Sequence, residues 1–487
     1  MSTDPRPSPE SAADTTDADT GIGTDTDTDT DTGRPAPVDA QRLTQLSERV
    51  EALMPQVLED LQELARIPSV SLPAFDAAHV EASAQAVARL LEGAGAQVEV
   101  VRAGEGHPAV IGRVEGPPGA PMVLLYAHHD VQPPGDDADW DTPVFSPTRR
   151  GDRLYGRGVA DDKAGIMAHV AALRAHEGAP PCSLVIFVEG EEEAGSDSLP
   201  QLLADHRDKL ACDALVIADS ANWDIGAPAL TTQLRGNVRV VVTVRALDHG
   251  VHSGMFGGLV PDAITAMCRL LATLHEEDGS VAVPGLVSRD DTSVDYTPER
   301  VRAESGVLDG VQLLGEGSYT SRLWTKPSLT VIGIDAPSVE EAANLLTPVC
   351  RAKLSMRIAP EEDPATALAA LTTYLQEHAP WGVQVEVEPE DSGSGFTAST
   401  DGPYVEAARS AFADAWGTDP VDTGIGGSIP FIAEFAQAFP QAAILVTGVE
   451  DPDSRAHGAN ESLHVPEFAK VCLAEALLLE RCGQIAR

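Results

Sequence analysis

In the stretch "QRLTQLSERVEALMPQVLEDLQELARI", Leu43, Leu46, Val50, Leu53, Val57, Leu61 and Leu64 recur three or four positions apart. That spacing places them on one stripe of a helix, so an amphipathic helix opens the ordered part of the chain. A second helix is predicted over about 79–94, followed by three strand-like runs, "AQVEVV", "PAVIGRV" and "PMVLLYA", punctuated by Gly and Pro. "DDKAGIMAHVAALRAHEG" then reads as helix, "CSLVIFVEG" as strand, "LPQLLADHRDKL" as helix and "CDALVIADS" as strand. Runs as uniformly apolar as "PMVLLYA" belong in a sheet covered on both faces. Their alternation with helices predicts an α/β fold whose catalytic domain has a mostly parallel sheet covered by helices.

After "DIGAPAL" the pattern changes. "NVRVVVTVRAL" reads as strand, "PDAITAMCRLLATLHEE" as helix, "SLTVIGIDA" and "CRAKLSMRIA" as strands, "DPATALAALTTYLQEH" as helix and "VQVEVEPE" as strand. This β-α-β-β-α-β order is that of a ferredoxin-like unit. The α/β pattern returns with a helix near 402–415, the strand "AAILVTGV" and a C-terminal helix in "FAKVCLAEALLLERC". The expected organisation is a tail over 1–40, a first catalytic segment over 41–229, an inserted domain over 230–391 and a second catalytic segment over 392–487. A chain of 487 residues exceeds the size at which one core usually divides, which agrees with two domains.

Charge narrows the partners. Against 33 basic residues stand 76 acidic ones, so neither nucleic acid nor an anionic membrane is expected as a partner. The first 40 residues contain "TDTDTDTDT", ten acids, two bases and no aromatic side chain, and are expected to form a disordered acidic tail. No apolar run approaches the roughly 20 residues that span a bilayer, and no signal-peptide pattern is present. The six cysteines, Cys182, Cys212, Cys268, Cys350, Cys472 and Cys482, form no CxxC pair and read as buried thiols in a reducing compartment, which makes a cytoplasmic location the expectation.

Candidate chemistry collects at the carboxyl ends of the buried strands, where open α/β sheets form their crevices. After "VLLYA" come His128 and Asp130, after "VIFVEG" come Glu191, Glu192 and Glu193, after "ALVIA" comes Asp219, and beyond "AILVTGV" comes His457. The glycine-flanked loop "LYGRGVADDKAG" adds Asp161 and Asp162 just before a helix. Carboxylates crowded in one crevice repel one another unless cations lie between them. Histidine with carboxylate suits zinc, with manganese or cobalt as replacements, and a carboxylate bridging two ions would make a co-catalytic pair that activates water.

The motifs "HHDVQP", "W…PVFSP", "LYGRGVADDK", "EGEEEAGS", "HSGMFGG" and "GGSIP", in this order, resemble the dinuclear zinc metallopeptidases that include carnosinase-like dipeptidases, aminoacylases, desuccinylases and glutamate carboxypeptidases. The resemblance runs from about residue 45 to the C-terminus and lies closest to the dipeptidase branch. It implies that His128, Asp161, Glu193, Asp219 and His457 bind two divalent metal ions, most simply zinc, with Asp161 bridging them. It further implies Glu192 as general base, Asp130 as the residue orienting His128, and His252 as an oxyanion donor that often reaches the site of the other subunit. Arg357 and Ser428 match positions that hold a substrate carboxylate. The inserted domain matches the family's lid and dimerisation domain, so a homodimer is expected. Two positions depart from the pattern. His129 stands where relatives more often carry Tyr, Leu or Thr, and its ring either competes as a ligand or lines the pocket; Ala164 replaces a common Gly.

Each residue has a plainer reading. Asp161 and Asp162 could cap the following helix, Glu191 to Glu193 could be a solvated charge run, and Asp219, His457 and Ser428 could be an ordinary strand end, surface histidine and loop residue. Taken together, the residues and the resemblance imply a metal-dependent dipeptidase acting on small peptides. An N-acyl amino-acid deacylase is the alternative within the same chemistry, and a non-catalytic metal-binding protein the alternative outside it.

Overall fold

The computed structural model describes residues 38–427 and 430–486. The expected tail up to residue 37, and Ser428, lie outside the described residues.

Helix Ala40–Ala65 is N-capped by Asp39, whose side chain accepts from Gln41 N, and it buries Leu46, Val50, Val57, Leu61 and Leu64. Helix Ala77–Gly93 follows, capped by Asp76. A nine-stranded sheet then takes its strands in the order Gln97–Val101, Ala109–Val114, Ser183–Glu189, Met122–His128, Ala214–Ile217, Ala443–Val446, Ala229–Leu234 and Phe396–Thr397, with Val421–Ile425 also paired to Ala229–Leu234. Its centre is parallel from Ser183–Glu189 to Ala443–Val446, and antiparallel pairs close both sides. All seven residues of Ser183–Glu189 are buried, as its uniform apolar character requires.

Alternate side chains of the central strands enter two cores. Val123, Leu125 and Ala127 join one built with helices Ala40–Ala65, Lys163–Ala175, Pro403–Trp416 and Val465–Cys482. Leu124, Tyr126 and Phe187 join another with Phe431, Ile432 and Phe435 of helix Pro430–Ala438. Parallel strands covered in this way all deliver their carboxyl ends to one rim.

Past Leu234 the chain leaves this sheet and enters a four-stranded antiparallel one, ordered Ser328–Asp335, Val349–Ile358, Gly236–Arg245 and Gln384–Gly393. Val238, Val240, Val242 and Val244 face a core shared with helices Ala263–Ala272 and Pro364–Glu377. Strand Ala229–Leu234, at the edge of the expected insert, belongs to the large sheet, so the crossing falls at Arg235. Segment 285–325, which lies outside the elements expected above, holds helices Pro298–Ser305 and Tyr319–Trp324. Their short lengths leave little room for a periodic pattern.

One expectation fails. Cys268 is exposed, whereas Cys182, Cys350, Cys472 and Cys482 are buried and Cys212 is partly so. Helix Ala263–Ala272 buries Ala263, Ala266, Met267 and Leu270, which puts Cys268 on the opposite side. Among the described residues, no helix is long and apolar enough to cross a membrane.

Phe468, fully buried in the C-terminal helix, joins that helix to the first core. Phe468→Ala is expected to lower unfolding free energy by about 3–5 kcal/mol, read as a fall in the denaturant midpoint with no change of slope; a loss below about 1 kcal/mol would contradict this packing.

Candidate metal centre

His128 ends its strand in register with Glu189 of the neighbouring one. Asp219 lies two residues beyond strand Ala214–Ile217, and Glu192 and Glu193 begin a short 3-10 turn after Ser183–Glu189. Asp161 and Asp162, joined by a cis peptide, precede helix Lys163–Ala175. His457, in left-handed backbone with φ 62°, comes from the loop after Ala443–Val446. Strand ends and loops far apart in sequence thus meet at one rim.

The side chains form two overlapping groups. His128, Asp161 and Glu193 offer ligand atoms within 4.8 Å of one another, as do His128, Asp162 and Asp219. His128 Nε2 lies 3.0 Å from Asp161 Oδ1 and 3.9 Å from Asp219 Oδ1. His457 Nε2 lies 3.1 Å from Asp161 Oδ2 and 3.5 Å from Glu193 Oε2. Asp161 therefore turns one oxygen to each histidine, the disposition of a bridging carboxylate. Asp162 does cap the helix, accepting from Gly165 N at 3.2 Å, and also accepts from His128 N.

Asp130 fixes this arrangement from behind. Its Oδ1 stands 3.3 Å from His128 Nδ1 and accepts from Glu192 N, while Oδ2 accepts from Ser71 Oγ at 2.6 Å and Glu193 N at 3.0 Å. One carboxylate so orients the imidazole and the acidic turn together. His129 points elsewhere: its buried Nε2 is 2.8 Å from Pro108 O, and burial pushes its pKa down to about 4, keeping the ring neutral. It is a core residue, outside both ligand groups. Glu191 uses both oxygens on backbone, accepting from His107 N and Ser198 N, so it holds the turn.

Sequence reasoning missed Glu461. Fully buried, it accepts from Arg157 Nη1 at 2.7 Å and from the backbone N–H groups of Gly158, Ala160 and Asp161 at 3.0, 2.9 and 3.1 Å. This carboxylate shapes the loop that presents Asp161. Gly158 takes φ 79° there, and a Cβ would stand 2.6 Å from Val131 Cγ1. Position 461 in "HGANES", four residues past His457, was the available signal.

Electrostatics show how much negative charge is compressed here. Burial, with the charge of Asp161, lifts the Glu193 carboxyl to about 8; burial, against His128 but with Asp161, lifts Asp219 to about 7. Glu192 is held far above its ordinary range by burial and by Asp219, Glu193 and Asp130 against the pull of His128. Burial opposes the His128 cation, yet its bonds to Asp130 and Asp161 raise it well above the usual imidazole value. Asp161 is lowered despite burial, through both histidines. Glu193 Oε1 is buried without a hydrogen-bond partner among the described residues. An imidazole and carboxylate set of this kind, with an orphaned oxygen and excess negative charge, fits divalent cations.

The remaining candidates lie in the four-stranded layer. His252, exposed in a two-residue strand paired with Leu345–Leu346, has no hydrogen bond to the carboxylates among the described residues. Arg357 sits in strand Val349–Ile358 beside Asn237. Arg235, also missed, donates to Gly426 O at 3.0 Å and to Lys326 O and Ser328 Oγ at 3.2 and 3.1 Å, stapling the loop before Ser428 to the insert.

The sequence pattern of Peptidase family M20/M25/M40 matches residues 124–481. The chain belongs to this family. A cysteinylglycine-S-conjugate dipeptidase of Corynebacterium striatum is 33% identical over 443 residues, covering 88% of this chain and 96% of that protein. A Beta-Ala-His dipeptidase of Rattus norvegicus is 28% identical, covering 73% of this M20 chain and 76% of its own length. The crystal structure of human carnosine dipeptidase 1 superposes with a TM-score of 0.75 at 24% identity, over 92% of this chain and 100% of that one, which shows the same fold.

Removing Glu461 leaves Arg157 buried and unpaired, so Glu461→Ala in this M20 peptidase is expected to lose about 3–5 kcal/mol of stability, with weaker metal retention on dialysis; wild-type behaviour in both would refute its role. A pH effect also follows for metal-free protein. His128, His457, Glu193 and Asp219 all hold protons more tightly folded than unfolded, so their contribution is complete at low pH and is lost as pH rises through the folded values. Lys163, pushed down to about 7 by burial, opposes them, as do His129 and His176, which burial also lowers, but the raised groups outnumber these three. Chelated protein should therefore unfold at lower denaturant at pH 8 than at pH 6, and divalent metal should shrink the difference; equal midpoints would count against it.

Proposed function

We propose that this M20 peptidase is a metal-dependent dipeptidase that cleaves the peptide bond of dipeptides or short peptides. The observation that carries the reading is Asp161 between His128 and His457, one oxygen toward each, with the Glu192 carboxyl, which has no hydrogen-bond partner among the described residues, beside them. The names of the similar proteins support the substrate class.

His128, Asp161 and Asp219 would hold one divalent ion, and Asp161, Glu193 and His457 a second, with zinc first and manganese or cobalt as alternatives. Bound there, the ions supply Lewis-acid polarisation of the scissile carbonyl and a lowered water pKa. Glu192 accepts a proton from the attacking water and delivers it to the leaving nitrogen. Asp130 keeps the His128 ring in place during both steps. Arg357 and Ser428 hold the substrate's C-terminal carboxylate, for which a planar guanidinium is well shaped.

The four-stranded layer has the β-α-β-β-α-β order of a ferredoxin-like unit and serves as lid and dimerisation domain. Its edge strand Ser328–Asp335 supports this: Val331, Ile332 and Ile334 are 41%, 51% and 44% exposed, an apolar edge suited to a second copy. In the dimer the partner's His252 donates to the developing oxyanion. The free cysteines support a cytoplasmic location.

Elemental analysis should find about two divalent ions per chain, and chelation followed by zinc or manganese should abolish and restore hydrolysis of dipeptides; restored activity on N-acyl amino acids alone would move the function to deacylation. Glu192→Ala should lower kcat by roughly 100- to 10,000-fold with metal content retained. Sedimentation should report a dimer for wild type and a weakly active monomer for Ile332→Lys, whereas a fully active monomer would remove His252 from an intersubunit role.

A further inference from the structure

We propose that Glu450 recognises the free N-terminal ammonium of the substrate and so restricts the site to unblocked peptides. The inference rests on the dipeptidase reading and adds to it a residue that selects the amino end.

Glu450 lies four residues beyond strand Ala443–Val446, and its backbone is tied to the loop that follows Asp219. Its N–H donates to Ser220 O at 3.2 Å, its carbonyl accepts from Asn222 N at 2.9 Å, and it forms a parallel bridge with Ala221. The residue is thus fixed at the rim where Asp219 enters the metal centre.

Most carboxylates around the centre have a partner that accounts for them. Asp130 is tied to His128, Ser71 and the 192–193 turn, Asp161 to both histidines, and Asp162 to the helix start. Glu189 accepts from Tyr126 Oη, Glu191 from two backbone groups, Glu193 from Gln132, and Glu461 from Arg157. Asp451, next along the chain, is bound by Arg153 and by Asp453 N. Among the described residues, no hydrogen bond or ion pair engages the side chains of Glu192 and Glu450. Glu192 has a task in proton transfer; Glu450 has none so far.

Glu450 is partly exposed, so a small ligand can reach it. Burial makes an uncompensated carboxylate at Glu450 costly. A cation brought by the substrate removes that penalty. In a dipeptide the ammonium and the C-terminal carboxylate lie on opposite sides of the scissile bond. With Arg357 and Ser428 taking the carboxylate, a carboxylate beside Asp219 is suited to the ammonium. An N-acyl substrate brings no such charge and leaves Glu450 unpaired, and loss of a partner to a built polar site discriminates strongly.

The test uses full-length, metal-loaded protein with L-Ala-Gly and its desamino analogue propionyl-glycine. Wild type should prefer Ala-Gly in kcat/KM. Glu450→Gln should raise KM for Ala-Gly at least tenfold with little change in kcat, leave propionyl-glycine hydrolysis equal or better, and retain the wild-type metal content; Glu450→Asp should recover most of the preference. An unchanged KM for Ala-Gly in Glu450→Gln would overturn the proposal, as would equal losses on both substrates or loss of metal, which would make Glu450 a structural residue or a ligand. Wild type that cleaves propionyl-glycine but not Ala-Gly would instead bring down the dipeptidase reading beneath it.

Discussion

The structure depends on holding a crowd of carboxylates in a buried crevice without the crevice coming apart. Parallel strands covered on both faces deliver Asp130, Glu192, Glu193 and Asp219 to a single rim, the loop before helix Lys163–Ala175 adds Asp161, and the crowding of like charges there helps to raise the pKa of Glu192, Glu193 and Asp219. Two devices oppose that repulsion. Histidines are interleaved between acids, and the acids behind them are saturated with donors.

Asp130 and Glu461 show the second device. Asp130 accepts from a serine hydroxyl and two backbone N–H groups while it faces His128, and Glu461 accepts from Arg157 and three backbone N–H groups. Each converts a buried charge, costly if unpaired, into a constraint on the loop that carries a ligand. Orientation of His128 and Asp161 is therefore built into the scaffold. The negative charge left over at Glu192, Glu193 and Asp219 gives cations a reason to bind.

The second layer answers a different requirement. A cleft that acts on a small zwitterion needs groups for its two charged ends as well as for the bond between them. Arg235 joins the two sheets at their crossing, bonding Gly426 on one side and Lys326 and Ser328 on the other. Arg357 stands near the end of the inner strand Val349–Ile358, and burial together with Arg239 lowers its pKa.

The sequence by itself determined the elements and the chemistry offered. Runs such as "PMVLLYA" and "CSLVIFVEG" pointed to buried strands, and the acids and histidines after them to the crevice at the strand ends. Helices as short as those in 285–325 leave little room for a periodic trace. Tertiary structure alone decided which neighbour of a pair faces the site: His128 turns to Asp161, while adjacent His129 turns to Pro108 O. It also decided that Ser71 lies behind Asp130 and Glu461 behind the loop of Asp161. Arg157 and Glu461 are 304 positions apart, and only sheet register and loop path bring such residues together. Local patterning carries no record of contacts at that separation, which is why candidate ligands could be named from the chain and the groups that hold them could not.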